Sequence, residues 1–131
     1  MINDVSALGD PDLGVAVAEA GCPLILMHSR GDLPTMQRSI YFDDVTQEVG
    51  NELAVSLARA ELAGIAASQT IVDPGLGFGK TAPQNFELVE RLEELQLLGR
   101  PILVGASRKS FLATASPAPP DQRLPGSLAA L

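Results

Sequence analysis

Residues 71–80, IVDPGLGFGK, bring a carboxylate, a proline, three glycines and a lysine to the end of an apolar run. Glycines after a strand often cradle phosphate, and with Thr81 the segment closes on a GKT that suggests a nucleotide loop. The spacing argues otherwise. A G-x-x-x-x-G-K-[ST] loop ending at Thr81 needs a glycine at position 74, where the chain carries the rigid Pro74. Gly75, Gly77 and Gly79 form G-x-G-x-G instead of the dinucleotide fingerprint G-x-G-x-x-G, and no acidic residue follows a strand about twenty residues later.

Asp73 therefore needs a different partner, because an ionised carboxylate at a partly buried strand end is costly unless paired or hydrogen-bonded. A flat heterocycle with an amidine or guanidine edge offers two parallel N–H donors, as an arginine does. Asn3, both donor and acceptor, suits the adjacent edge of the same ring. The alternative for Asp73 is a helix N-cap or an ion pair with Lys80. A second site is expected at residues 107–110, SRKS, where Ser107 reads as the N-cap of a helix through Ala115. Arg108 and Lys109 in a first turn oppose the helix dipole. An anion reconciles them, held by free backbone N–H groups, the hydroxyls of Ser107 and Ser110, and the two cations.

His28, the single histidine, is expected to be a hydrogen-bonded structural residue. With no Cys or second His beside it a zinc site is unsupported, and no nucleophile elbow accompanies it to make a Ser-His-Asp triad. The three glycines let a loop approach a ligand closely, and Phe78 between two of them can present its ring. Arg30 and Gly31 are expected to serve a turn.

These residues need elements to hold them. Four short apolar runs, MIND, PLILMHS, TIVDP and PILVGAS, read as buried strands without alternation. Helical periodicity fills the intervals. A short helix is expected over 12–20; Val45, Val49, Leu53 and Leu57 mark one over 43–65; Phe86, Val89, Leu92 and Leu95 mark one over 84–98; a last one starts at Pro125. Asp44 and Gln47 have capping-box spacing, Gly64 and Gly99 sit near helix ends, and Pro101 separates the third helix from its strand. Alternating strands and helices imply a parallel sheet with right-handed crossovers. Strand ends recur about every 34 residues, close to the repeat of a (β/α)8 barrel. The expected fold is thus a partial TIM barrel of about four parallel strands over residues 1–131, with MIND looking cut into. Asn3, Asp4, His28, Ser29, Asp73, Ser107, Arg108 and Lys109 all fall at the C-terminal strand ends, the rim where such folds carry their sites.

Composition limits the rest. The chain of 131 residues is 46% apolar and 19% charged, enough to fill one core, and its 16 acids against 9 bases give a net charge of -7 that disfavours nucleic acid. Four Phe, one Tyr and no Trp argue against a base-stacking surface. The one cysteine, Cys22, excludes an internal disulfide and is expected to be buried. No signal peptide is evident and no apolar run approaches the roughly 20 residues of a membrane span, so a cytoplasmic location is expected.

INDVS, LMHSRGDLPTMQ, DPGLGFGKTAPQNFEL and LVGASRKSFL, in this order and at these intervals, make the sequence resemble dihydropteroate synthase over essentially the whole chain. RLPGSLAAL looks like the helix before that family's last barrel strand. The resemblance implies a TIM barrel enzyme of folate biosynthesis that joins 4-aminobenzoate to 6-hydroxymethyl-7,8-dihydropterin pyrophosphate and releases pyrophosphate. It implies that Asn3 and Asp73 bind the pterin, that Lys109 contacts the pterin and borders the aminobenzoate, and that Met27 packs on the pterin. Gly77, Phe78, Arg108 and Ser110 would line one or the other site. The implied mechanism is dissociative: pyrophosphate leaves, Asp73 stabilises a cation delocalised over the pterin, and the neutral amine attacks.

By the same resemblance, the chain corresponds to about the fourth to seventh β/α units, lacking the first three strands and the last. It then lacks the asparagine that engages Mg2+ and pyrophosphate and the final strand's Arg and His, so it is expected to be inactive alone. Ser29 stands where the family usually has a Met of an MHM triplet. Sulfonamide binding and a homodimer are further implications. Two alternatives are a methyltetrahydrofolate:corrinoid methyltransferase, which shares the barrel but should lack SRKS, and a non-catalytic truncated pterin-binding fragment.

Overall fold

A computed structural model of the chain describes residues 1–31 and 40–130; the DLPTMQ part of the second motif lies outside them. Strands β1 (Ile2–Asp4), β2 (Leu24–Met27) and β3 (Thr70–Asp73) form one parallel sheet in the order β1-β2-β3. Helices α1 (Pro11–Ala20) and α2 (Val45–Leu62) supply the crossovers. The fourth run meets β3 by a single parallel bridge, Val72 to Ile102, with Val72 N donating to Pro101 O at 3.0 Å and Leu103 N to Val72 O at 2.8 Å. Pro101 has no N–H to give and Gly105 weakens an extended segment, so few ladder positions are left.

The strand register assigns the two faces. Asn3 lies beside Ile25, Ile25 beside Ile71, and Met27 beside Asp73. Neighbouring residues of parallel strands share a face and alternate residues return to it. Asn3, Ile25, Met27, Ile71 and Asp73 therefore point to one side. Leu24, Leu26 and Val72 point to the other, where they join the helix-side core. That core is built on α2, whose Val45, Val49, Leu53 and Leu57 are all buried as their four-residue spacing predicts. Asp44 caps this helix by accepting from Gln47 N at 2.9 Å. The return bond comes from Glu48 instead of Gln47, its carboxylate accepting from Asp43 N and Asp44 N.

Two expected helices are shorter than their patterns. Over 84–98 the α-helix α3 (Ala82–Glu90) gives way to a 3-10 run, Leu92–Leu98. The strict three-residue spacing of Phe86, Val89, Leu92, Leu95 and Leu98 is itself the 3-10 period, and the tighter turn brings Leu92, Leu95 and Leu98 onto one face. The helix expected from Ser107 to Ala115 is only α4 (Leu112–Ala115), preceded by turns. Arg108 has φ 59°, a left-handed conformation that a right-handed helix cannot contain. Ser107 is thus not a helix N-cap. The last helix, α5 (Leu124–Ala129), agrees with its expected start at Pro125 to within a residue. Cys22 is half-buried against the core instead of fully buried. Among the described residues no helix is long and apolar enough to cross a membrane.

Candidate functional site

The strand ends carry the candidate site. Asp73 closes β3 and is 7% exposed; its carboxylate accepts from Gly75 N at 2.7 Å, so it caps a turn and not a helix. Among the described residues it forms no ion pair with Lys80. Burial pushes its carboxyl above the ordinary range, while the Gly75 amide, Lys109 and Lys80 pull it back. A single hydrogen bond leaves the carboxylate with acceptor capacity for a ligand. Met27, beside it in the register, is buried, whereas Asn3 is exposed at the far strand on the same face.

Beyond Asp73 the chain folds over the end of β2. A side chain at Gly75, whose φ is 66°, would put a Cβ 1.9 Å from His28 O, so only glycine fits. The loop then meets Lys109. Its Nζ donates to Leu76 O at 2.5 Å and sits 4.1 Å from the centre of the Phe78 ring, a cation–π contact. A Cβ at Gly77 would fall 3.0 Å from Lys109 Cδ. Burial lowers the Lys109 ammonium's pKa and Asp73 opposes the shift. Asp73, Gly77, Phe78 and Lys109 are thereby gathered into one wall.

Ser107, Arg108 and Ser110 lie on the exposed turn leading into α4. Among the described residues the hydroxyls of Ser107 and Ser110 reach no protein partner. The Arg108 carbonyl accepts from Arg123 Nη1 at 2.8 Å, a bond that holds its left-handed backbone in place. With α4 only four residues long, the dipole argument for an anion here falls away. The turn still offers hydroxyls and a guanidinium to solvent beside Lys109.

His28 is structural, as expected, and it belongs to a larger array. It is 3% exposed; its Nε2 lies 3.0 Å from Glu52 Oε2 and its Nδ1 2.9 Å from Lys80 Nζ. With the ammonium donating to Nδ1, the ring proton resides on Nε2 and is donated to Glu52. Burial lowers the histidine's pKa, consistent with a neutral ring. The hydrogen bond from His28, with help from Arg30, holds Glu52 at about 2. Arg30 does more than serve a turn: it pairs with Glu48 at 2.8 Å and with Glu52, and stacks 3.9 Å from the Phe42 ring centre. Asp4, buried, accepts from Ser6 N, Ser6 Oγ and Leu8 N, which makes it a loop anchor.

Lys80 and Asn85 are the residues that sequence reasoning missed. Lys80, 3% exposed, donates to Gly75 O and Phe78 O, both at 3.0 Å, as well as to His28. Burial lowers its pKa to about 7. Asn85, 1% exposed, accepts from Gly77 N at 2.6 Å and donates to Thr81 O at 2.8 Å. A local signal was available for part of this: Thr81 and Gln84 have T-x-x-Q spacing and form a capping box on α3, which fixes the helix that carries Asn85.

Comparison with known proteins adds a family to this geometry. The model of a family described as "Pterin binding enzyme" matches residues 1–131. The chain is 43% identical over 129 residues to dihydropteroate synthase of Escherichia coli strain K12, covering 98% of this chain and 46% of that protein. Dihydropteroate synthase from Thermus thermophilus in complex with 6HMPPP superposes with TM-score 0.92 at 39% identity, covering 98% of this chain and 51% of the other. Dihydropteroate synthase of Xanthomonas albilineans with 4-aminobenzoic acid gives TM-score 0.89 at 42% identity over 99% of this chain and 46% of the other. The chain spans about half the length of the relatives it matches, and its open parallel sheet is that of a partial barrel.

Proposed function

We propose, because this chain belongs to the pterin-binding enzyme family, that it forms the pterin-recognising part of a dihydropteroate synthase. The substrates would be 6-hydroxymethyl-7,8-dihydropterin pyrophosphate and 4-aminobenzoate, and its 131 residues would supply about the fourth to seventh β/α units of the barrel. The observation that carries this reading is the shared sheet face of Asn3, Met27 and Asp73, with Lys109 and Phe78 at its rim. A half-satisfied buried carboxylate beside a flat apolar methionine suits a planar ring with an N–H-rich edge. The relatives solved with 6HMPPP and with 4-aminobenzoic acid support the same pair of ligands.

The chemistry assigned to these residues is positional and electrostatic. Asp73 would accept two N–H groups of the pterin, and its charge would stabilise the positive charge that spreads over the ring as pyrophosphate departs. Asn3 would read the neighbouring edge and Met27 would pack on the ring face. Lys109 would leave Leu76 O to meet the pterin, bordering the aminobenzoate with Gly77 and Phe78. Ser107, Arg108 and Ser110 would receive the anionic groups from the exposed turn. Among the described residues no three His, Cys, Asp or Glu side chains come together as a metal-holding group, and no step here runs through the family's Mg2+. A cytoplasmic location is part of the proposal.

Titration of the purified chain with 6-hydroxymethylpterin, followed by 4-aminobenzoate, tests the reading. Saturable pterin binding without dihydropteroate formation is expected. Absence of pterin binding by a folded chain overturns the assignment, and turnover by the chain alone overturns the proposed incompleteness of its pyrophosphate site.

A further inference from the structure

The loop at residues 73–80 turns its polar groups in two directions, and the sorting is done from inside by residues no ligand can touch. Lys80 Nζ spends its three N–H groups on Gly75 O, Phe78 O and His28 Nδ1. Asn85 Oδ1 takes the Gly77 amide, and Asn85 Nδ2 is anchored on Thr81 O at 2.8 Å and Lys80 O at 3.3 Å. Phe78 N closes the turn on Gly75 O at 3.0 Å. Only the Leu76 carbonyl is aimed at the other side, where it accepts from Lys109 Nζ at 2.5 Å.

The planarity of the peptide makes this selective. The Leu76 carbonyl and the Gly77 N–H belong to one trans peptide unit and point in opposite directions. Pinning the Gly77 N–H inward on Asn85 therefore turns the Leu76 carbonyl outward onto Lys109. Phe78 is fixed by the same device, its carbonyl held inward by Lys80 while its ring lies under the Lys109 ammonium. Glycine at 77 allows the required φ of 80° but does not choose it over other conformations. The two buried side chains make that choice.

We propose that Asn85 and Lys80 are positioning residues that set the Leu76–Gly77 peptide plane and, through the Leu76 carbonyl and the Phe78 ring, fix where Lys109 waits for its ligand. This deepens the reading of Lys109 as a ligand-contacting residue and rests on it for its functional consequence. The geometric claim concerns the unliganded chain and can be measured without any ligand.

The experiment uses the full 131-residue chain, isotope-labelled, in wild-type form and as Asn85→Ala, Asn85→Asp and Thr46→Val. The last is a control remote from the loop, since the Thr46 hydroxyl has no hydrogen-bond partner among the described residues. Amide exchange at Gly77, the Leu76 carbonyl carbon signal and the Lys109 Cε signal are followed by NMR. Asn85→Ala should accelerate Gly77 exchange and shift both other signals, with about a tenfold loss of 6-hydroxymethylpterin affinity. Asn85→Asp, which keeps the acceptor for Gly77 N, should restore most of each readout, and Thr46→Val should move none. A merely structural asparagine would lower stability without moving the Lys109 signal and without rescue by aspartate. Unchanged Gly77 and Lys109 signals in a folded Asn85→Ala chain overturn the proposal. Should that variant not fold, wild type decides: a Gly77 amide exchanging at the solvent rate overturns it, and a protected one supports it. If wild type binds no pterin while the NMR changes occur as expected, the functional reading fails and the positioning claim stands.

Discussion

Replacing Asp73 by asparagine keeps its volume and the acceptor for Gly75 N, and removes only its charge. Burial already pushes this carboxyl's pKa up, so Asp73→Asn should leave the fold intact. A charge-assisted hydrogen bond contributes about 1.5–3 kcal/mol, so pterin affinity should fall roughly ten- to a hundredfold, as read by fluorescence titration; a change below about twofold contradicts the role given to Asp73. Lys80 makes a separate prediction about stability. In the unfolded chain its amine keeps its proton to the ordinary 10.5, but in the fold it gives it up at about 7. Between those values the unfolded state binds more protons, so stability increases with pH across that window. Below about 7 the desolvation of the ammonium is felt in full, on the order of a few kcal/mol. Lys109, also lowered by burial, adds in the same sense. The thermal midpoint of the wild-type chain should therefore climb by several degrees from about pH 7 to about pH 9, and Lys80→Met should flatten most of that climb. An equal slope in both proteins would mean that Lys80 is not the group responsible. Asp73 was legible in the sequence because a carboxylate locked by Pro74 at a strand end has few other uses. Lys80 was not, because the same letters are compatible with an amine in solvent until the path of the loop turns two carbonyls and a histidine toward it.

Among the elements, what was legible follows from how local the cause is. The α2 stripe and the strand runs declare themselves through residue periodicity, which needs only the chain's own geometry. The turn at 107–111 does not, since the left-handed Arg108 is held by Arg123, fifteen residues further on. The α3 pattern contained its own correction, because a three-residue apolar period favours 3-10 geometry after Glu90. The glycine loop is intermediate: its glycines signal close approach, but their separate duties follow from what each one faces. Gly75 faces backbone that cannot yield. Gly75→Ala must move either the loop or the end of β2 to relieve a 1.9 Å contact with His28 O, and its φ of 66° adds strain for any side chain. The expected loss is about 3 kcal/mol or more, measured by urea denaturation. Gly77→Ala meets the flexible Lys109 chain at 3.0 Å instead, and should cost clearly less stability while displacing Lys109. If the two substitutions are equally costly, backbone contact is not what reserves position 75 for glycine.

At the level of the whole molecule, the order β1-β2-β3 with Ile102 alongside leaves two sheet edges. Among the described residues β1 pairs on one side only, and the 101–105 segment meets β3 by a single bridge. Parallel sheets are normally buried on both faces and closed or covered at their edges, since unpaired N–H and C=O rows recruit other strands. Ile2 is 38% exposed and Leu103 36% exposed, so apolar side chains accompany those unpaired groups. The net charge of -7 opposes association but acts mainly at range and is screened by salt. Backbone pairing at contact is not screened in this way. The purified 131-residue chain should therefore self-associate, with a light-scattering mass above that of one chain that increases with protein concentration and with added salt. Ile2→Lys, which introduces a charge at the outer edge without touching Asn3 or Asp73, should shift the population toward monomer. It should leave pterin binding per chain unchanged within about twofold. A strictly monomeric wild-type chain at all concentrations would mean that the edges are protected by the chain itself and that the open sheet needs no partner.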